Sequence, residues 1–247
     1  MSEPLGDERI VTAAVLVIGD EILSGRTKDQ NIGFIAEQLT AIGIRLQEVR
    51  VVPDEESEIV AAVNALRTRY DYVFTTGGIG PTHDDITADS IGRAFGVSVG
   101  IDARAEKILR DYYGGRNLDV TPARLRMARL PMGADLIENP VSAAPGFRID
   151  NVIVMAGVPS IMQAMFQSVA PHLETGAKLF SLTVPVDRPE SEVADLFSAH
   201  QRRYADVAMG SYPHVRNGHP AVDLVLRCSD PARLNEAAEA LKTALNL

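Results

Sequence analysis

Thr75 to Thr87, TTGGIGPTHDDIT, brings three glycines, four hydroxyls and two adjacent carboxylates together directly after an apolar run. Gly77, Gly78 and Gly80 allow positive φ and let an anion approach main-chain N–H groups. A helix expected to begin near Ile86 adds its positive end to the same place. Asp84 and Asp85 are hard oxygen ligands suited to Mg²⁺ or a similar divalent ion. Phosphate held beside a divalent cation is the usual pairing in phosphoryl and nucleotidyl chemistry. The spacing is neither GxxxxGK[ST] nor GxGxxG, so neither a Walker-type nor a dinucleotide fingerprint applies. The plainer reading is a tight turn in which one aspartate caps the next helix.

The elements that must carry this turn are legible around it. AAVLVIG (Ala13 to Gly19) is the continuous apolar run of a strand covered on both faces. A polar loop follows, then a helix with Ile32, Ile35, Ala36, Leu39 and Ile42 on one stripe. IRLQEVRVV (Ile44 to Val52) reads as a second strand. Asp54 is the expected N-cap of a helix carrying Ile59, Val60, Val63 and Leu66. DYVFTT (Asp71 to Thr76) is a third strand, and NVIVM (Asn151 to Met155) a fourth, entered by a hairpin at Asp150-Asn151. Alternating strands and helices predict an α/β, three-layer sandwich with a mostly parallel sheet. Ligands of such sheets gather at the carboxyl ends of the strands. The loops after Gly19, Pro53, Gly77 and Ala156 are therefore expected to share one cleft. A mainly helical stretch is expected over residues 101–146, with Thr121-Pro122 opening a helix.

Beyond about Thr175 the order becomes strand, helix, strand, strand, helix, that of a small split-βαβ, ferredoxin-like α+β module. The expected domains are residues 1–175 and 176–247. Disorder is expected only over the first residues, MSEPLGDER.

The formal net charge is −9, Trp is absent and aromatic residues are 5% of the 247 residues. A broad electrostatic grip on nucleic acid needs clustered Lys and Arg, so no nucleic-acid partner is expected. No run approaches the ~20 apolar residues of a membrane helix. The N-terminus lacks a basic segment leading into an apolar one, and Cys228 is the sole cysteine. These features predict a cytoplasmic protein with no membrane partner. A small phosphorylated ligand remains open, because amides and a metal ion can hold it locally.

GDEILSGRTKDQN (Gly19 to Asn31), VPDEESEI (Val52 to Ile59), the glycine turn, and NPVSAAPGF leading to AGVPS (Asn139 to Ser160) resemble, in order, the MoaB/Mog-type molybdopterin-binding domain. The likeness is closest to the N-terminal part of CinA (competence/damage-inducible) proteins. GSYP (Gly210 to Pro213) resembles the small module that follows this domain in CinA-like proteins and eukaryotic FAD synthases. The resemblance implies an α/β/α sandwich that binds pterin or nucleotide phosphates, with Asp54 and Asp85 as acids assisting metal binding and nucleotidyl chemistry. It implies one of three activities: hydrolysis of a nucleotide pyrophosphate such as ADP-ribose or FAD, carriage or adenylylation of molybdopterin, or ligand binding without catalysis. It also implies a homo-oligomer, a dimer or a trimer. This chain departs from the family block PGVPSEM at Ala156 and Ile161, where proline and an acid are usual.

Expected contacts follow. Asp85, Asp54 and Asp84 are the candidate catalytic acids, and Asp84 and Asp85 the candidate metal ligands. Gly19, Asp20, Glu21, Asn31, Thr76, Gly77, Gly78, Gly80, Pro81, Thr82, Gly157, Pro159 and Ser160 are the candidate ligand contacts. Asn31 suits a helix cap equally well. His83 reads as an exposed loop residue; Arg148 and Lys28 suit either phosphate or solvent. His172, His200, His214 and His219 show no metal-ligand spacing, and Cys228 reads as a small buried residue.

Overall fold

The computed structural model describes residues 9–247, in two units that divide after Gly176. The disorder expected over MSEPLGDER falls outside the described residues except at Arg9. Its guanidinium pairs with Asp71 (2.6 Å) and Glu174 (2.9 Å).

The first unit runs β1 (Val11–Ile18), α1 (Asp20–Leu23), α2 (Asn31–Ala41), β2 (Ile44–Val52), α3 (Glu56–Arg67), β3 (Tyr72–Thr76), α4 (Thr87–Phe95) and β4 (Val99–Ile101). It continues with α5 (Ala103–Gly114), α6 (Pro122–Arg126), β5 (Arg129–Pro131), β6 (Asp135–Ile137), β7 (Gly146–Ile149), β8 (Val152–Met155) and α7 (Pro159–Val169). Six strands form one sheet in the order β2-β1-β3-β8-β7-β6. The first four are parallel, and β7 and β6 add an antiparallel edge.

Alternate residues of β1 go to opposite faces, as the pleat requires. Ala14, Leu16 and Ile18 pack with α3, α4 and α5, whereas Val11, Ala13, Val15 and Val17 pack with α2 and α7. Both faces are therefore covered, which is why the strand is apolar throughout, and the fold is the expected three-layer α/β/α sandwich. Residues 101–146 are less helical than expected. β4 pairs with β5 as a separate ribbon and β6 joins the main sheet, because a three-residue strand shows too little alternation to be read locally.

Register sets the position of the site. Ile18 lies opposite Val52, Val17 opposite Thr76, and Thr76 opposite Met155. The carboxyl ends of β2, β1, β3 and β8 are thus level, and their following loops leave from one edge.

At the opposite edge Asp71 joins β3 to β1. Its Oδ2 accepts from the Thr12 amide and hydroxyl, both at 2.8 Å, and its Oδ1 from Arg9. Burial pushes this carboxyl up, but the Thr12 donors and Arg9 outweigh it and hold the group below the usual carboxylate range. A folded pKa below the unfolded one adds stability above the unfolded value, about 3.9, and loses it as pH falls through the folded value. Asp71→Asn is therefore expected to cost about 1–2 kcal/mol at pH 7. Thermal melts of both proteins at pH 7 and pH 3 check this; a difference that does not shrink in acid would refute it.

The second unit contains β9 (Phe180–Val186), α8 (Glu190–Arg203), β10 (Ala208–Arg216), β11 (His219–Cys228) and α9 (Pro231–Leu245). Its sheet has the order β10-β11-β9 with β11 antiparallel to both neighbours, the topology of a split βαβ unit. Asn217 and Gly218, at φ 53° and 81°, make the two-residue turn between β10 and β11, a hairpin signal present in the sequence but not used there. His200 is buried, with Nε2 2.9 Å from the Ala237 carbonyl, and Cys228 is buried in the same core. Cys228 is thus the small buried residue expected, and His200 is structural rather than on the surface.

Candidate functional site

The turn after β3 is built by backbone conformations that only glycine takes readily. Gly77 has φ 104° and Gly78 φ 67°. A Cβ on Gly77 would lie 2.1 Å from the Ile18 carbonyl oxygen, so glycine there lets β3 run into its turn against the end of β1. Thr87, fully buried, fastens the far side: its hydroxyl donates to the Gly77 carbonyl and its amide to the Gly78 carbonyl, both at 3.0 Å. Helix α4 thus begins at Thr87, and its first amide is spent on the turn rather than left facing a ligand.

Asp85 organises the same turn. Oδ1 accepts from the Gly80 amide at 2.7 Å; Oδ2 accepts from the Thr82 amide at 2.8 Å and the Thr82 hydroxyl at 2.6 Å. It caps the loop, not the helix. Asp84, its neighbour in sequence, has a side chain 65% exposed, and the Thr82 hydroxyl and its own amide hold its carboxyl below the usual range; His83 is 99% exposed as expected.

Asp54 does not cap α3, whose N-cap is Glu55. Its Oδ2 instead accepts from the Asp20 amide at 3.0 Å, tying the loop after β2 to the start of α1. Burial, against the pull of that amide, pushes the Asp54 carboxyl above the usual range; the charges of Asp20, Glu21 and Asp84 add to the rise. Asn31 is neither a cap nor on the surface: it is 4% exposed, and Nδ2 donates to the Gly157 carbonyl at 2.8 Å. The α2 cap contact comes from Asp29, which accepts from the Ile32 amide. Asn31 thereby links the loop after β1 to the loop after β8, where Pro159 opens α7 as expected.

Between these loops lies a cleft of about 510 Å³. Of the expected ligand contacts, Glu21, Gly77, Gly78, Gly80, Pro81, Gly157 and Pro159 line it, together with Asp85. Gly19, Asp20, Asn31, Thr76, Thr82 and Ser160 do not, nor do Asp54 and Asp84. Thr76 is 1% exposed, and its buried hydroxyl has no partner among the described residues. The wall that sequence reasoning missed is apolar: Ile79, Met127, Val158, Ile161 and Met165. Ile161 and Met165 stand four apart on α7, the spacing that places two side chains on one face. Asn139 closes the rim; its Oδ1 accepts from the amides of Val141 and Ser142 and its Nδ2 donates to Ser142 and Ala144.

Among the described residues no three His, Cys, Asp or Glu side chains are grouped to hold a metal ion. A Mg²⁺-like ion keeps most of its water and needs only one or two carboxylates plus substrate phosphate. Asp85 retains lone pairs beyond the loop donors it already accepts. No helix among the described residues is long and apolar enough to cross a membrane.

Known proteins place this geometry. The model described as a probable molybdopterin binding domain matches residues 14–175, and that of the FAD synthase middle domain matches residues 178–247. A protein of Pyrobaculum arsenaticum is 40% identical over 193 residues, 74% of this chain and 73% of its own. A CinA-like protein of Desulfosudis oleivorans is 37% identical over 194 residues, and a probable FAD synthase of Caenorhabditis briggsae 31% identical over 265. These alignments take in 74% and 95% of this chain but 47% and 49% of the two relatives, so it spans about half their length. A crystal structure of the protein CinA with unknown function from Thermoplasma acidophilum superposes with TM-score 0.61 and 36% identity, covering 66% of this chain and 98% of that one. By the match over residues 14–175 and these relatives, the chain belongs to the probable molybdopterin binding domain family, in its CinA-like form.

Proposed function

We propose that the protein hydrolyses a nucleotide phosphoanhydride, with FAD or ADP-ribose as the substrate class. The observation that carries this reading is the glycine turn, which lines the cleft together with Asp85; Asp54, a carboxyl with raised proton affinity, stands on the same sheet edge outside that lining. A base of that kind takes a proton from water more readily than an ordinary carboxylate does. The likeness to a probable FAD synthase of Caenorhabditis briggsae and the match of residues 178–247 to the FAD synthase middle domain favour flavin nucleotides.

In this scheme the glycine turn holds the phosphates and its amides meet the charge that develops on them. The flat ring of the nucleotide rests on Met127, Ile161 and Met165. Asp54 accepts a proton as the water oxygen bonds to phosphorus. The bridging P–O bond breaks, and the departing phosphate carries away its electron pair, giving AMP and FMN from FAD. A bound Mg²⁺ or similar ion on Asp84, with Asp54 or Asp85, would neutralise charge across the two phosphates.

The test is AMP release from FAD and ADP-ribose with Mg²⁺, Mn²⁺ or Co²⁺, followed by chromatography. AMP that appears in proportion to enzyme supports the hydrolase. Retained binding of FAD with no AMP under any metal would end it. That result would favour the second reading, a molybdopterin-binding or adenylylating protein, which the family match over residues 14–175 supports, or a ligand-binding module without catalysis.

A further inference from the structure

The lining of the cleft includes no lysine or arginine, although a pyrophosphate carries two negative charges. Behind the glycine turn a recess of about 20 Å³ shares Gly78, Ile79, Gly80, Asp85 and Met127 with the cleft. Two arginines line that recess, Arg126 and Arg129. Arg129 is committed: it makes a two-pronged pair with Asp89 at 3.0 and 2.7 Å. Arg126, the last residue of α6, makes a single long contact from Nη2 to the Asp85 carbonyl at 3.4 Å. Among the described residues its guanidinium makes no ion pair, though it is close enough to bear on the Asp84 carboxyl.

A guanidinium carries five N–H donors in a planar fork that matches phosphate oxygens, and this one uses one of them, weakly. We infer that Arg126 is the cation of this site, a catalytic residue that binds the phosphate held at the glycine turn and offsets the charge that builds on it. The inference rests on the phosphoanhydride reading of the cleft. It assigns α6 a purpose: Thr121 caps the helix, accepting from the Arg124 amide, and Pro122 starts it, so the chain turns just before Arg126 and Met127 reach the recess.

The experiment compares wild type, Arg126→Met and Arg126→Lys by calorimetric titration with ADP-ribose, inorganic pyrophosphate and adenosine in Mg²⁺, beside thermal melts. Arg126→Met is expected to weaken ADP-ribose and pyrophosphate by about tenfold or more while adenosine and the melting temperature stay put. Arg126→Lys should recover part of the pyrophosphate affinity but less of the turnover, because a point charge lacks the fork. An equal loss for adenosine and ADP-ribose together with a lower melting temperature would overturn the inference, leaving Arg126 as a prop for the Asp85 carbonyl. So would a wild-type protein that binds ADP-ribose and pyrophosphate no better than adenosine. If wild type binds ADP-ribose tightly but releases no AMP, the hydrolase reading fails while the affinity ratio still decides the role of Arg126.

Discussion

Replacing Gly77 with alanine is expected to cost about 2–6 kcal/mol and to abolish ligand binding. Two independent penalties add. A non-glycine residue held at φ 104° is strained by about 1–3 kcal/mol. The new Cβ would also stand 2.1 Å from the Ile18 carbonyl oxygen, so β1 and the turn must separate at a further cost of about 1–3 kcal/mol. Gly96 supplies the control. It has φ 68° after α4 but no atom within 4 Å of a built Cβ, so Gly96→Ala should lose about 1–2 kcal/mol from backbone strain alone. Urea unfolding of the three proteins followed by far-UV circular dichroism measures both. Equal losses for the two variants would show that the close approach of β1 does not dictate glycine at 77.

The comparison of Gly77 with Gly96 also marks what local sequence carries. A glycine after an apolar strand announces a turn, and the turn is there; which neighbour forbids a side chain is set 59 positions away, by Ile18. Asp54 illustrates the same limit. Its place before a helical stripe is a fair capping signal, yet its partner is the amide of Asp20, brought alongside only because β1 and β2 are parallel neighbours. The sandwich itself is legible because a fully apolar run such as β1 has to be covered on both faces. The ribbon of β4 and β5 is not, since each strand offers only three residues and the pairing between them is non-local. Arg126 escapes for a related reason. Nothing in ARLRM distinguishes it from Arg124, whose guanidinium turns back to the Asp119 carbonyl and Tyr113. Its proximity to Asp85, 41 residues earlier, exists only in the fold.

Asp84 and Asp85 show how adjacent identical residues part company, and that separation sets the second large effect. Asp85→Asn is expected to weaken ligand binding by about 10-fold or more even in EDTA, with metal absent. The reason is the count of donors that Asp85 receives. Both carboxylate oxygens accept, one from Gly80 and the other twice from Thr82. An asparagine offers one acceptor oxygen and one NH₂ group. In either orientation the NH₂ faces a backbone N–H, so one donor is opposed and left unpaired at about 1–3 kcal/mol. The glycine turn then loses the shape that presents its amides. Asp84→Asn makes the contrast, because its exposed side chain meets the Thr82 hydroxyl and its own amide rather than the Gly80 amide; metal-free binding should change little and mainly metal-dependent turnover should fall. Calorimetric titration with ADP-ribose in EDTA, repeated with Mg²⁺, separates the two roles. If Asp85→Asn binds as wild type does in EDTA and fails only with Mg²⁺, Asp85 is a metal ligand first, and the loop keeps its form without a second acceptor.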